Sequence, residues 1–184
     1  MTDFENGFWV FGYGSLLWNP EFEFIDHAPA TLVGFSRSFC MWSIHHRGSV
    51  EVPGLVLALD AQKDAICRGV AFHVGADTAL QSLADLRERE LVSSAYVEHH
   101  VDLRLDDGRS VTALAYVIDP AHAQYTGPLS LDQQADIIAA ATGGRGPNSA
   151  YLFNTASHLA KIGMADEDLT ALAAKVQARL GPSS

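Results

Sequence analysis

An α+β domain, with strands first and helices last, is what this 184-residue sequence predicts. Three observations predict it. The first two thirds hold short aromatic and β-branched runs, each bounded by glycine or polar turns. The last third holds apolar residues at three-to-four-residue spacing with helix start and stop signals. The two kinds of segment do not alternate as a Rossmann-like parallel sheet would require. The length fits one domain, 1–184. With 48% apolar and 18% charged residues, folding can bury about 70% of the unfolded surface without disulfide or metal staples.

Phe8 to Tyr13 reads as a buried strand entering a tight glycine turn. Ala30 to Ser43, Leu55 to Leu59 and Arg68 to Val74 read as further strands, separated by HHRGSVEVPG and DAQKDAI. Asp77 to about Arg87 carries Leu80, Leu83 and Leu86, which suits one helix face. Tyr96–Leu105 and Ser110–Val117 flank Asp107-Gly108, a hairpin turn whose residues tolerate positive φ. Ser130 and Gln133 form a capping box for a helix over Leu131–Ala141, and Gly143-Gly144 stops it. Residues 149–162 align Leu152, Thr155, Leu159 and Ile162, and residues 166–180 align Leu169, Leu172, Val176 and Leu180 before Gly181-Pro182.

Lys and Arg number 12 against 22 Asp and Glu, a formal charge of −10. That balance speaks against nucleic-acid and anionic-membrane partners, which need clustered cations. Cys40 and Cys67 stand 27 residues apart without a CxxC or finger pattern, as in a reduced cytosolic protein, although one disulfide stays open. The N-terminus is acidic where a signal peptide is basic, and no apolar run approaches the ~20 residues of a spanning helix. The expectation is a cytoplasmic protein.

Several segments could carry chemistry. Gly12-Tyr13-Gly14-Ser15 is neither a GxSxG elbow nor a Walker loop. It is either a plain tight turn or a nest of backbone N–H groups able to hold an anion. Gly143-Gly144-Arg145-Gly146 lacks a preceding strand, so a flexible helix connection is the default. His45-His46 and His99-His100 are neighbours that point to opposite faces of a strand, so neither pair chelates one metal. His46-Arg47-Gly48 is a polar turn carrying a cation. Arg87-Glu88-Arg89-Glu90 ends the leucine-striped helix. It is either a solvated helix end or the place where one carboxylate turns inward, its pKa raised by burial to suit proton transfer.

The ordered set FGYGSLLWNPEF, GFSRSF, HHRGS with a following Pro-Gly, Arg-Glu before a tyrosine, ALAYVIDP, QYTGPLS and GRGPNSAYLFNT resembles the ChaC family of γ-glutamylcyclotransferases. The matches run in order from about Trp9 to about Leu172. The resemblance implies a small barrel-like mixed or antiparallel sheet flanked by helices. It also implies cytosolic cleavage of reduced glutathione to 5-oxoproline and cysteinylglycine, with no cofactor and no metal. A cyclotransferase for other γ-glutamyl amino acids or amines, and a non-catalytic glutathione-binding module, are the alternatives.

By the same resemblance, Val10, Phe11, Gly12, Tyr13, Gly14, Ser15 and Leu16 form the substrate-binding segment. Backbone N–H groups of Tyr13 to Leu16 would hold the γ-glutamyl carboxylate or a developing oxyanion. The acid/base glutamate follows an arginine and precedes a tyrosine by a few residues. Glu90 stands six before Tyr96, as in bacterial members, whereas Glu88 stands eight before it. Glu90 is therefore the expected catalytic residue, with Arg89 supporting the junction. Relatives often have a glycine where this chain has Ser94-Ala95. Arg37 is expected to pair with a substrate carboxylate and Tyr125 to lie close to the pocket. His46 and Arg47 match a signature segment with no assigned role.

Overall fold

A computed structural model describes residues 4–91 and 94–182. Two compact units are present: Met1–Arg37 with Leu59–His122, and Ser38–Ala58 with Ala123–Ser184. The first unit is built on a closed five-stranded barrel of β1 (Phe8–Gly12), β2 (Asp26–Ser43), β3 (Gly54–Val74), β4 (Tyr96–Leu105) and β5 (Ser110–Ile118). The strand order is β1-β3-β2-β4-β5, closed by the parallel pairing of β1 with β5, and β3 also pairs with β5. The outer ends of β2 and β3 belong to the second unit.

Register follows from alternation. Val101, Leu103 and Leu105 of β4 are buried at every second position. They join Phe11, Leu32, Leu59, Ala71, Ala115 and Val117 in the barrel core. The Asp107-Gly108 turn forms as expected, with Gly108 at φ +96°, and zips Tyr96–Arg104 onto Ser110–Ile118. β1 runs antiparallel to β3, from Phe8 opposite Val74 to Gly12 opposite Val70, and parallel to β5. Val10 faces the other way from Phe11 and packs with Leu16, Val74, Tyr116 and Leu86 of α1 (Ala79–Glu90).

The strand bounds differ from expectation. β2 begins at Asp26 rather than Ala30, and the two segments 55–59 and 68–74 are parts of one strand. The polar run Asp60–Ile66 stays within the strand although Asp64 turns to φ +64°. Its side chains are mostly exposed. In α1, Leu80 is 74% exposed, while Ala79, Ser82, Leu83 and Leu86 are buried. A strict three-residue repeat drifts about 60° per step around a 3.6-residue helix, so its first member leaves the face. The chain leaves α1 through Ser94, which has φ +59°.

The second unit holds α2 (Leu131–Ala140), α3 (Asn148–Lys161) and α4 (Glu167–Leu180), which pack on one another. Both bonds of the Ser130–Gln133 capping box are made. Leu152, Thr155 and Leu159 of α3, and Leu169, Leu172 and Val176 of α4, are buried as their spacing predicts. Ile162 and Leu180 are exposed, because each lies at or beyond the final turn of its helix. The Gly143–Gly146 connection is a short hairpin, β6 (Thr142–Gly143) against β7 (Gly146–Pro147), not a loose linker. The fully buried Asn148 completes it: Oδ1 accepts from the Leu55 N–H and Nδ2 donates to the Leu55 C=O, both at 2.8 Å. A Cβ on Gly54 would lie 2.7 Å from that Oδ1 and 2.2 Å from the Arg47 carbonyl oxygen. Only glycine admits so close an approach.

Asn148→Ala strands two buried backbone groups of Leu55, so denaturant unfolding is expected to show a loss of about 2–4 kcal/mol. Ser94→Gly relieves a left-handed backbone position and is expected to raise stability by about 0.5–1 kcal/mol in the same assay.

Candidate active site

The glycine turn is held from beneath. β1 and β3 approach closely where Gly69 faces the Gly12 carbonyl, and a Cβ on Gly69 would come within 2.3 Å of that oxygen. Tyr13 is fixed at two points: its hydroxyl donates to the Tyr116 carbonyl at 3.1 Å, and its own carbonyl accepts from Arg37 Nε at 2.8 Å. The chain then enters a 3-10 turn over Ser15–Leu17. The first bond of that turn runs from the Leu17 N–H to the Gly14 carbonyl. The N–H groups of Ser15 and Leu16 precede it and are not consumed by the turn, which suits an anion or oxyanion.

The expected binding residues separate into kinds. Val10 and Phe11 are fully buried on opposite faces of β1. The strand is covered on both faces there, so neither side chain offers surface, and both hold the turn from within the unit. The Leu16 side chain is also in the core, so only its backbone can serve a ligand. Ser15 is exposed. Arg37 is buried, and besides Tyr13 it donates through Nη2 to the Arg68 carbonyl and lies 3.6 Å from Cys67 Sγ. Its Nε and Nη2 are thus spent on the main chain and a thiol, and it acts as a brace for the turn. Tyr125 lies in the second unit, half-buried, opposite Met41, with Gln124 and Thr126 bonded to Trp42 and Cys40.

Glu90 closes α1 with its side chain 16% exposed. Burial pushes its pKa above the ordinary glutamate value; the Arg89 guanidinium opposes this and the Glu21 carboxylate adds to it. Glu88 is exposed to solvent, since two positions along a helix turn the side chain about 200°. The two carboxylates that sequence spacing set in competition therefore occupy opposite environments.

Arg89 joins the turn to the carboxylate. Nη2 donates to Ser15 Oγ at 3.0 Å, Nη1 to the Asn19 carbonyl at 2.8 Å and to Glu21 Oε2 at 3.0 Å, while Nε lies 3.4 Å from Glu90 Oε1. Sequence reasoning anticipated a supporting role for Arg89 but missed Glu21 and Tyr116. The buried Tyr116 hydroxyl donates to Glu98 at 3.1 Å, and burial together with the Glu98 and Glu90 charges raises its pKa. Glu98 is in turn held by both Arg87 Nε and Nη2. ALAYVIDP contained the tyrosine, yet no local pattern tied it to a helix end 26 residues earlier.

In the second unit, Arg47 Nη1 donates to the carbonyls of Arg145 and Pro147, and the guanidinium lies 5.5 Å from the Tyr151 ring centroid. This gives the His46-Arg47-Gly48 turn a structural task in clasping the β6–β7 hairpin. Burial and the Arg145, His45 and Arg47 charges lower the His46 pKa. Cys40 and Cys67 are buried and form no disulfide. Among the described residues, no three His, Cys, Asp or Glu side chains gather as a metal site, and no helix is long and apolar enough to cross a membrane.

Comparison with known proteins agrees with the ordered motifs. The sequence is 39% identical over 173 residues to the glutathione-specific γ-glutamylcyclotransferase of Escherichia coli K12, spanning 94% of this chain and 74% of that protein. It is 34% identical over 168 residues to the human glutathione-specific γ-glutamylcyclotransferase 1, spanning 89% and 76%. The fold matches a crystal structure of the yeast γ-glutamyl cyclotransferase specific to glutathione with a TM-score of 0.81 and 25% identity, over 95% of this chain and all of that one. The model of the ChaC-like protein family matches residues 8–179, and the chain belongs to that family.

Proposed function

We propose that this protein is a γ-glutamylcyclotransferase that degrades reduced glutathione to 5-oxo-L-proline and L-cysteinylglycine in the cytoplasm, the whole chain serving as one such domain without metal or organic cofactor. The observation that carries the reading is the joining of the largely buried Glu90 carboxyl, through Arg89, to the turn whose Ser15 and Leu16 N–H groups are open. The names of the E. coli and human relatives support glutathione as the substrate.

The reaction needs no enzyme nucleophile. The α-amine of the γ-glutamyl group attacks its own γ-carbonyl, forming the lactam C–N bond while the bond to the cysteine nitrogen breaks. Folding the substrate so that these atoms meet supplies much of the acceleration. The ammonium gives one proton to solvent to become the attacking amine; as the C–N bond forms, the same nitrogen gives a second proton to ionised Glu90, and the protonated carboxyl passes it to the departing cysteine nitrogen. A pKa raised by burial suits both halves of that transfer. The Ser15 and Leu16 N–H groups meet the substrate carboxylate or the oxyanion on the γ-carbonyl oxygen. Gly12, Tyr13 and Gly14 set their direction. Arg37 contributes by fixing the Tyr13 carbonyl.

Glu90→Gln is expected to lower 5-oxoproline release from glutathione by at least 10²–10⁴-fold, roughly the worth of a positioned acid/base. Glu88→Gln is expected to stay within about threefold of wild type, since a solvated carboxylate makes no term in the transition state. Turnover lost in the Glu88 variant and kept in the Glu90 variant overturns the assignment. Parallel turnover of γ-glutamylalanine separates a glutathione enzyme from a broader γ-glutamyl one, and binding of glutathione without any product identifies a binding module.

Glu90 also links pH to stability. Its folded-state pKa lies above the unfolded value, so the native state holds more protons between the two and stability falls as pH rises through that window. Glu90→Gln removes the cost of ionising a buried carboxyl. Its melting temperature is expected to exceed that of wild type at pH 7, with the gap closing below about pH 4, where both forms are neutral.

A further inference from the structure

We infer that Glu21 is a positioning residue for the acid/base carboxylate: it occupies the Nη1 side of the Arg89 guanidinium and so keeps that cation from neutralising Glu90. The inference rests on Glu90 being the acid/base of the proposed reaction. Three observations carry it. Both Glu21 oxygens are engaged, Oε1 accepting from Asn19 Nδ2 at 3.1 Å and Oε2 from Arg89 Nη1 at 3.0 Å. The Arg89 Nε, the donor left nearest Glu90, stands off at 3.4 Å, while Nη1 and Nη2 are drawn to Glu21, Asn19 and Ser15. Glu21 itself has φ +60°, a conformation that favours glycine or asparagine, yet it carries a carboxylate to this one point.

The charge logic follows from those positions. A guanidinium facing only Glu90 would hold that carboxylate ionised and hard to protonate, which suits a base but disables the later acid step. A second carboxylate on the far edge of the same guanidinium offsets part of its charge, and the Glu21 charge also acts on Glu90 directly in the raising direction. Among the described residues, Tyr116 on β5 also interacts with the Glu90 charge, and beyond its hydroxyl lies Glu98 on β4, which Arg87 already pairs. Tyr116 is neutral over the working range and the Glu98–Arg87 pair is balanced. Glu21 is thus the group whose charge tunes the Arg89–Glu90 pair. Its side chain is 58% exposed, so solvent screening keeps the influence modest.

Glu21→Gln preserves the side-chain shape and an oxygen for Arg89 but removes the charge; Glu21→Gly removes the side chain and relieves the backbone. The pH dependence of kcat for 5-oxoproline release is to be measured for both and for wild type. Glu90 acts ionised in the first step, so the rate climbs with pH through its pKa. Removing the Glu21 charge is expected to move that limb to lower pH by about half a unit in both variants, roughly the effect of one charge a few ångströms away across solvent. On the limb this is about a threefold gain relative to each variant's plateau. A limb that stays in place in both variants, or moves only in the glycine variant, overturns the inference. Carboxyl ¹³C titration of Glu90 in wild type and Glu21→Gln reads the same shift without turnover. A downward shift there supports the inference and an unmoved titration overturns it, even if wild type proves inactive on glutathione and the functional proposal itself fails.

Discussion

A buried guanidinium at the end of β1 is the constraint on which the binding turn depends. Arg37 sits inside the first unit with its Nε on the Tyr13 carbonyl and its Nη2 on the Arg68 carbonyl. A charge withdrawn from water is tolerable only where fixed acceptors replace the lost solvation. The carbonyls of the residue just after β1 and of Arg68 in β3 can supply that replacement only in one relative position. The direction of the Tyr13 carbonyl then dictates the peptide planes that follow, and with them where the Ser15 and Leu16 N–H groups point. The arginine expected to pair with a substrate carboxylate also shapes the backbone of the turn. Tyr13 is secured a second time through its hydroxyl on the Tyr116 carbonyl.

A second cation ties the end of α1 to the turn. Arg89 ends α1 and reaches across to Ser15, Asn19 and Glu21 while lying beside Glu90. Helix and turn thereby share one guanidinium, and the fork geometry of arginine makes the sharing possible, since three nitrogens address three directions. Glu90 is at once shielded from water, which raises its proton affinity, and placed by the same helix whose Leu86 is seated against Val10 and Leu16. Apolar packing fixes where the helix ends, and electrostatics decide what its last carboxylate can do.

The polar signatures of the second unit serve a different end. Asn148 imitates a strand neighbour by offering one donor and one acceptor to Leu55. Arg47 fastens the β6–β7 hairpin through two carbonyls. Glycine at position 54 leaves room for both the Arg47 carbonyl and the Asn148 amide. Charged and polar residues in a motif are thus not all chemistry; here several replace ladder hydrogen bonds where the chain turns too sharply for a sheet.

What the sequence determined by itself was local or ordered along the chain. The Ser130–Gln133 box, the Asp107-Gly108 hairpin and the buried stripes of α3 and α4 depend on residues within four positions of one another, so spacing alone reveals them. The succession of motifs from Trp9 to Leu172 identified the family, because order over a whole chain is specific where each short motif is not. Tertiary structure decided the rest. It joined two expected strands into β3, whose polar middle stays in the strand with Asp64 in a left-handed conformation, because side-chain polarity does not decide where a ladder ends. It buried Val10 and Phe11, turned Arg37 onto main-chain carbonyls and brought Glu21 to Arg89 across 68 positions of sequence. Contacts between residues so far apart leave no period in the sequence, and only the closed barrel and the helix packed on it bring them within hydrogen-bonding distance.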